Sequence, residues 1–424
     1  MNRKGVPRPC GTVFALVVAA GVGLSIFERT VAAQAGGAAP SYRAVPLWPR
    51  PFADDSWVIG SVTAVTTDAQ NHIWVAHRGA DTLEPNEKGM MNNPPTSSVC
   101  CMAAPFILEF DAAGRLLASW GGPSVGYQWP QATGGLAVDA KGNVWIAAAG
   151  LEPAPPGAAR GRGAAPGAAP AGEGGRGAAP APPPPVPDAH VLKFTRDGRY
   201  LMTIGTPGKM DGPDSQTTLN RPAGITYDPA ANEVFVADTG NRRIVVFDAD
   251  TGAYKRHWFA YGEKAAGAAP GPYNPSDPPA KSFRDVTCVK IGKDGLVYVC
   301  DKSSNRIQVF GKGGNFIKEA VVSKNTFGGV IAGSFGVLNT AGAVWDLAFS
   351  SDPLQQYVFV ANGQDKKVLI LQRETLAQIG SIGAGGRLPG QFLAVDSVAV
   401  DSQGNLYTGE HHHGKRVQKF VPGK

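Results

Sequence analysis

Short apolar runs alternate along the chain with turns rich in Gly, Asp and Asn, and this arrangement recurs six times. Two clear copies are residues 135–147 and 397–409, each an apolar run, an Asp/Gly/Asn turn and a second run with an aromatic residue. Apolar runs of this length bounded by turn residues predict β-strands. One such unit cannot bury its apolar face alone, so we expect the six units to pack against one another.

The second strand of every unit carries an aromatic residue at a matching place: Trp74, Trp145, Phe235, Tyr298, Phe359 and Tyr407. Most units continue with a third strand, such as 243–247 or 306–310, and then a fourth. Four strands in each of six units predict an all-β fold, a six-bladed β-propeller over residues 40–421. The last unit ends at Phe420, so we expect residues 42–48 to supply its fourth strand and close the ring.

Two segments stand apart from the repeats. Residues 1–35 combine a basic start, an apolar run and a small-residue site, which predicts a secretory signal peptide, with a retained anchor as the alternative. We therefore expect an exported protein, periplasmic or extracellular, without a membrane span after cleavage. Residues 151–187, almost entirely Gly, Ala, Pro and Arg, predict a disordered insertion in the second unit. A shorter insertion, 79–104, follows the same strand of the first unit.

The net charge of the chain limits the classes of partner that it can bind. The chain has 424 residues and a net charge of +6, of which the leader, with four basic residues and one acidic residue, supplies +3. The remaining charge is too small for nucleic-acid binding, which needs concentrated Lys and Arg. We expect a monomer that binds a small molecule, a peptide or a protein at the mouth of the propeller channel.

Four cysteines remain after the leader, and an exported compartment permits their oxidation. Cys288 and Cys300 fall on successive strands, so a cross-strand disulfide forms if the register brings them together. Cys100 and Cys101 are adjacent and form either a vicinal disulfide or two packed thiols. The sequence leaves both pairs open.

The segments 237–244 and 300–307 resemble NHL repeats, and the resemblance covers most of residues 55–421. Within it, residues 75–81, Val-Ala-His-Arg-Gly-Ala-Asp, are similar to the His-Arg-Gly-Asp segment of peptidyl-α-hydroxyglycine α-amidating lyases. That resemblance implies a secreted six-bladed propeller with a zinc ion on its axis. In those lyases three histidines, at the entries to the innermost strands of alternate blades, hold the zinc.

This chain departs from the lyase pattern at the entry positions, which are Thr63, Gly134, Ala223, Thr287, Trp345 and Asp396. The second, fourth and sixth would be zinc ligands, and none is a histidine. No tyrosine stands near residues 239–240, where the lyases have theirs, and Lys302 replaces their second arginine. Arg78 alone is kept, so we predict that the zinc site is lost and that the protein is a binding or interaction module.

Two other functions stay open. One is a metal-dependent carbon–nitrogen lyase with an altered site, in which Arg78 is the catalytic residue and binds an anion. The other, hydrolysis of lactone-like molecules at a calcium site, rests on fold analogy alone. No cofactor is expected for a binding module, whereas the enzyme hypotheses imply zinc or calcium.

First-strand entries and second-strand ends meet at one face of a propeller, which makes that mouth the default binding site. We predict that the ligand-binding residues there are His77, Arg78, Asp81, Lys302 and Asp396. The candidate metal ligands are Asp396, Glu410 and His412. Against a metal, consecutive strand residues alternate faces, which favours an exposed polar loop for the run 411–413.

The charged residues of the repeat signature are Asp238, Arg242, Asp301 and Arg306. We assign them structural roles. The aspartates are expected to cap turn amides, and the arginines to bridge blades.

Overall fold

The computed structural model describes residues 39–150, 186–265, 269–326, 330–333, 336–339 and 342–423. Its elements are almost all strands. In the first half these are β1 (Tyr42–Val45), β2 (Trp57–Val58), β3 (Val62–Thr67), β4 (Ile73–His77), β5 (Met102–Ala103), β6 (Ile107–Phe110), β7 (Leu116–Trp120), β8 (Thr133–Val138), β9 (Val144–Ala148), β10 (His190–Phe194), β11 (Tyr200–Gly205), β12 (Pro222–Asp228), β13 (Glu233–Asp238), β14 (Arg243–Asp248) and β15 (Tyr254–Trp258).

The strands of the second half are β16 (Val286–Ile291), β17 (Val297–Asp301), β18 (Arg306–Phe310), β19 (Phe316–Val321), β20 (Val330–Gly333), β21 (Gly336–Asn339), β22 (Asp346–Phe349), β23 (Tyr357–Asn362), β24 (Lys367–Gln372), β25 (Gln378–Ile382), β26 (Ala384–Gly385), β27 (Gln391–Phe392), β28 (Val395–Val400), β29 (Leu406–Glu410) and β30 (Val417–Pro422). The described helices are single 3₁₀ turns at Gly79–Thr82, Pro85–Glu87, Thr239–Asn241, Ala260–Gly262 and Lys302–Ser304.

Six four-stranded antiparallel sheets form the blades. In order from the inside they are β3-β4-β6-β7 (blade 1), β8 to β11 (blade 2), β12 to β15 (blade 3), β16 to β19 (blade 4), β22 to β25 (blade 5) and β28-β29-β30-β1 (blade 6). The remaining short strands pair outside the blades, as β2-β5, β20-β21 and β26-β27. The predicted six-bladed propeller is confirmed.

The ring closes through the N-terminal strand, as the missing fourth strand of the last unit predicted. β1 pairs antiparallel with β30, from Tyr42 opposite Pro422 to Val45 opposite Lys419. The Tyr42 hydroxyl adds a hydrogen bond to the Gly404 carbonyl at 3.3 Å. Blade 6 thus takes strands from both ends of the domain, and this pairing closes the ring.

In blades 1, 2 and 6 an aspartate and the second-strand aromatic residue form a hydrogen-bonded pair. The six second-strand aromatics are buried between blades. The Trp145 indole donates to Asp139 Oδ2 at 3.2 Å, and the Tyr407 hydroxyl donates to Asp401 Oδ2 at 3.0 Å. The same aspartates accept backbone amides of their own turns, for example Asp139 from Asn143 at 2.9 Å. The carboxylate therefore fixes the turn and satisfies the polar end of a buried ring at once.

A second recurring feature is a buried ion pair, which is found in blades 3 and 4. Arg243 Nε lies 2.8 Å from Asp238 Oδ2, and Arg306 Nε lies 2.9 Å from Asp301 Oδ2. The aspartates accept amides of the loop that enters their blade, as predicted. The arginine assignment was wrong in blade 3, because Arg242 ends the 3₁₀ turn in the left-handed region and Arg243 makes the pair.

Both cysteine pairs are disulfide-bonded. Cys288 on β16 lies directly opposite Cys300 on β17, with their Cα atoms 4.9 Å apart. Cys100 and Cys101 form a vicinal disulfide within the blade 1 insertion.

Two sequence predictions fall largely outside the described residues. The signal peptide at 1–35 lies outside them, as does the insertion at 151–187 apart from its last two residues. Among the residues described, the structure has no helix with the length and apolar character needed to cross a membrane.

Candidate functional site

The innermost strands of the six blades enclose a cavity of about 320 Å³ on the propeller axis. Every blade contributes to its wall. The six strand-entry positions identified from the sequence all line it, namely Thr63, Gly134, Ala223, Thr287, Trp345 and Asp396. The mouth of this cavity is the candidate site.

Arg78 enters the cavity from blade 1, directly after β4 ends. Its backbone amide donates to the Ser61 carbonyl at 3.0 Å, which fixes the start of the side chain. Its Nε is buried and has no hydrogen-bond partner among the described residues. Burial lowers the pKa of Arg78, against the opposing effect of Asp81, Asp188 and Asp396. A buried guanidinium with an unused donor favours an anionic ligand.

Lys302 enters from blade 4, on the 3₁₀ turn that follows β17. Its Nζ lies 3.1 Å from Asp285 Oδ2 and 5.0 Å from the centre of the Trp345 ring. Deeper in the wall, Lys290 and Asp346 form a second pair at 3.1 Å. Both lysines therefore have a carboxylate partner, unlike Arg78.

Asp396, on β28 of blade 6, is a different kind of carboxylate. Within the described part of the chain its oxygens have no hydrogen-bond donor and no ion-pair partner. Burial raises its pKa to about 7, an effect that Asp346 strengthens and that Lys302 and Arg78 oppose. Asp396 therefore titrates far closer to neutral pH than an ordinary aspartate does.

His411 and His412 also line the cavity, so the prediction of an exposed loop was wrong for both. Alternation of faces applies only within a strand, and β29 ends at Glu410. The chain then turns, and His412 takes a left-handed φ of 48° that directs both rings to the mouth, 4.2 Å apart. Burial lowers the pKa of His412 to about 4 and that of His411 well below its usual value, so both are neutral. His413 stays half-exposed.

His77 lies in the core, which corrects its assignment to the ligand site. It is fully buried, and its Nδ1 accepts the amides of Gly60 at 3.1 Å and Gly79 at 3.0 Å. Its Nε2 donates to the Pro105 carbonyl at 2.7 Å. Both ring nitrogens are thus used in anchoring the blade 1 insertion. Asp81 is exposed on that insertion and does not line the cavity.

Glu410 also serves the fold, which corrects its choice as a metal candidate. It is fully buried, accepts the Leu393 amide at 2.6 Å and forms an ion pair with Arg416. This arrangement repeats that of Asp238 and Arg243 in blade 3. The glutamate at the end of β29 is therefore the repeat-signature acid of blade 6.

One metal-like cluster exists among the described residues, and it lies away from the mouth. Ligand atoms of Asp68, His72 and Glu109 fall within 4.8 Å of one another. Arg196 Nη2 lies 3.1 Å from Asp68 Oδ2 and also contacts Glu109 and His72. A guanidinium therefore already binds where a metal ion would. Asp396 and His412 belong to no such group.

The positions that carry zinc ligands in the amidating lyases have other tasks here. A Cβ at Gly134 would meet the Ala223 carbonyl oxygen at 2.7 Å, so glycine is required for the close approach of blades 2 and 3. The Thr287 hydroxyl donates to the Trp345 carbonyl at 2.8 Å and joins blades 4 and 5. All three positions line the cavity, and Asp396 alone of them has an ionisable side chain.

Sequence reasoning missed Arg221 and His411 as cavity residues. Arg221 stands immediately before β12 with φ of 49°, and its side chain packs over Gly150. An arginine directly preceding the entry of an inner strand was the available signal. For His411 the signal was the histidine run itself.

A family model matches two of the blades. The NHL repeat model matches residues 219–247 and 283–310, which include the first three strands of blades 3 and 4. The chain is therefore a six-bladed β-propeller of the NHL type. Among solved structures, it is similar to a catalytically inactive virginiamycin B lyase from Staphylococcus aureus with quinupristin, at 12% identity and a TM-score of 0.43, covering 87% of this chain and 82% of that one. No curated protein matches the chain.

Proposed function

We propose that this protein is an exported, monomeric propeller, periplasmic or extracellular, that binds a small carboxylate at the mouth of its channel. The observation that carries the proposal is Arg78, which lines the cavity and whose side chain has no hydrogen-bond or ion-pair partner among the described residues. Burying a guanidinium without a counter-ion costs several kcal/mol, and a carboxylate bound in the cavity beside it reduces that cost.

The charge balance of the cavity supports an anion. Four basic residues line it: Arg78, Arg221, Lys290 and Lys302. The lysines are paired with aspartates, whereas within the described ranges neither arginine forms an ion pair. Neutral histidines at the rim add hydrogen-bonding groups without adding charge. The volume of about 320 Å³ lies at the lower end of the range usual for small-ligand pockets, roughly 300 to 1,000 Å³.

We also propose that the axial zinc of the amidating lyases is not bound here, and that Arg78 serves binding. Two observations support this proposal: a Cβ at Gly134 would meet the Ala223 carbonyl oxygen, and the Thr287 side chain bonds to the Trp345 carbonyl and offers no imidazole. The alternative function is a lyase with an altered site, because Arg78 is the one residue of the lyase pattern that this chain retains. Elemental analysis decides between them, since one tightly held zinc per purified chain favours the lyase and no stoichiometric zinc favours the binding protein.

Calorimetric titration with acetate and succinate tests the carboxylate site, with acetamide as the uncharged counterpart of acetate. We expect the carboxylates to bind and acetamide not to bind. Arg78→Met should weaken carboxylate binding at least tenfold, because a hydrogen bond to a charged group contributes about 1.5 to 3 kcal/mol. Arg115→Met, at an exposed arginine of blade 1, is the matched control and should change nothing. Equal affinity of the wild type and Arg78→Met for both carboxylates removes Arg78 from the site.

Export has its own test. Expression of the full chain in a bacterial host, followed by fractionation and N-terminal sequencing, should give an exported protein that begins near residue 36. A cytoplasmic protein that retains residues 1–35 would contradict export.

A further inference from the structure

The channel mouth holds a carboxylate that complements the arginine. Resting on the proposed carboxylate site, we infer that the ligand is a small zwitterion, whose carboxylate binds Arg78 and whose protonated amine binds Asp396. The ligand class is therefore that of amino acids and related amino-carboxylates. Neither the repeat signature nor the resemblance to the lyases assigns an amine-binding group to this cavity.

Asp396 is the one cavity carboxylate, among the residues described, whose oxygens are both unused. Asp285 Oδ2 accepts Ser303 Oγ at 3.2 Å and lies beside Lys302, and Asp346 Oδ2 accepts the Val398 amide at 3.1 Å. Asp346 is also paired with Lys290. A carboxylate that is enclosed without donors gains most from a cationic donor, which supplies charge and hydrogen bonds together.

Arg78 and Asp396 face the same cavity from neighbouring blades and yet do not pair with each other. Arg78 follows β4 of blade 1 and Asp396 lies on β28 of blade 6, and no hydrogen bond joins their side chains within the described structure. The hydrogen bond from Ser61 Oγ to the His412 carbonyl, 3.0 Å, holds the two blades together at this point. One molecule that spans the two blades satisfies both groups, whereas a plain carboxylate leaves Asp396 without a donor.

The two kinds of ligand should differ in the direction of proton exchange on binding, because they have opposite effects on the ionisation of Asp396. The groups that face Asp396 are Arg78, Lys302, Asp346 and the neutral rings of His411 and His412. A plain carboxylate on Arg78 adds negative charge near Asp396, which favours its protonated form, so the complex takes up protons. An ammonium group on Asp396 favours the ionised form, so the complex releases protons.

The experiment is calorimetry at pH 7 in two buffers of different ionisation enthalpy, which together give the number of protons exchanged. The probes are ω-amino acids with two to six carbons and the unsubstituted carboxylates of equal length. At least one amino acid should bind tenfold or more tighter than its counterpart and release protons on binding, because burial raises the pKa of Asp396 to about 7. Binding of the plain carboxylates should instead be accompanied by proton uptake by the complex.

Two variants separate the inference from the function on which it rests. Asp396→Asn should remove the preference for amino acids and their proton release, and should bind plain carboxylates more tightly because a negative charge is gone. Arg78→Met should weaken both series. If carboxylates bind through Arg78 but no amino acid binds better, or binding releases no protons in the wild type, the zwitterion is excluded and the carboxylate site stands. If neither series binds, both proposals fail.

Discussion

Replacing Arg243 with methionine tests the buried ion pair that recurs in the blades. Arg243 is fully buried and donates four hydrogen bonds. Nε bonds to Asp238 Oδ2 at 2.8 Å, Nη1 to the carbonyls of Pro213 and Ser215 at 2.7 Å each, and Nη2 to the Thr218 carbonyl at 3.0 Å. Methionine keeps most of the stem and removes all four bonds. The loop between blades 2 and 3 then loses its anchor, and Asp238 loses its counter-ion.

Breaking a buried pair from one side costs about 3 to 5 kcal/mol, because the remaining charge is left uncompensated. The matched control is Arg115→Met. Arg115 also contacts an aspartate, with Nε 2.6 Å from Asp111 Oδ2, but its side chain is 68% exposed. An exposed pair contributes between 0 and about 1 kcal/mol, so the two variants should differ several-fold in their effect on the free energy of unfolding.

Guanidinium unfolding followed by tryptophan fluorescence measures both costs, and its pH dependence adds a second test. Burial raises the pKa of Asp238, and Arg243 opposes that rise. In Arg243→Met the native state therefore holds a proton that the unfolded chain releases above its usual pKa near 3.8. The variant should lose stability, relative to the wild type, as pH rises above about 3.8. An Arg243→Met midpoint no lower than that of Arg115→Met would refute this reasoning.

Three further predictions concern other parts of the fold. Gly134→Ala should lower the free energy of unfolding by about 1 to 3 kcal/mol in chemical denaturation, because its Cβ would meet the Ala223 carbonyl oxygen at 2.7 Å. Burial lowers the pKa of His77 to about 4, so the unfolded chain binds a proton at this residue before the folded protein does. The free energy of unfolding of the wild type should therefore fall by on the order of 3 kcal/mol as pH falls from 6.5 through 4. His77→Asn should flatten that part of the profile of melting temperature against pH. Replacing Cys288 and Cys300 together by alanine should cost about 3 kcal/mol, the loop entropy for a separation of 12 residues, and reductant should then lower the unfolding midpoint less than it does in the wild type, where both disulfides are present.

The architecture was predictable because the whole sequence repeats the physical unit that builds it. Each blade has an aromatic ring that fills the space between sheets, and in blades 1, 2 and 6 an aspartate that fixes a turn stands six residues before it. Asp401 and Tyr407 show why, since one side chain donates to the other. Ring closure was predictable for the same reason, because a unit with three strands leaves an edge that only residues 42–48 could cover.

The site was predictable only in part, since its details depend on where strands end. Arg78, Lys302 and Asp396 follow the repeat geometry and line the cavity as expected. His77 is a neighbour of Arg78 in sequence but is the last residue of β4, so its ring packs inside the blade. His412 reaches the cavity through a left-handed backbone conformation that a pattern of alternating residues does not encode.

Carboxylate binding at Arg78 is the central claim, and anomalous diffraction from crystals soaked in 3-bromopropanoate tests it most directly. The account predicts one strong bromine peak inside the axial channel, with the carboxylate of that molecule hydrogen-bonded to the Arg78 guanidinium. Bromine peaks confined to the outer surface, with no ligand density beside Arg78, would contradict it.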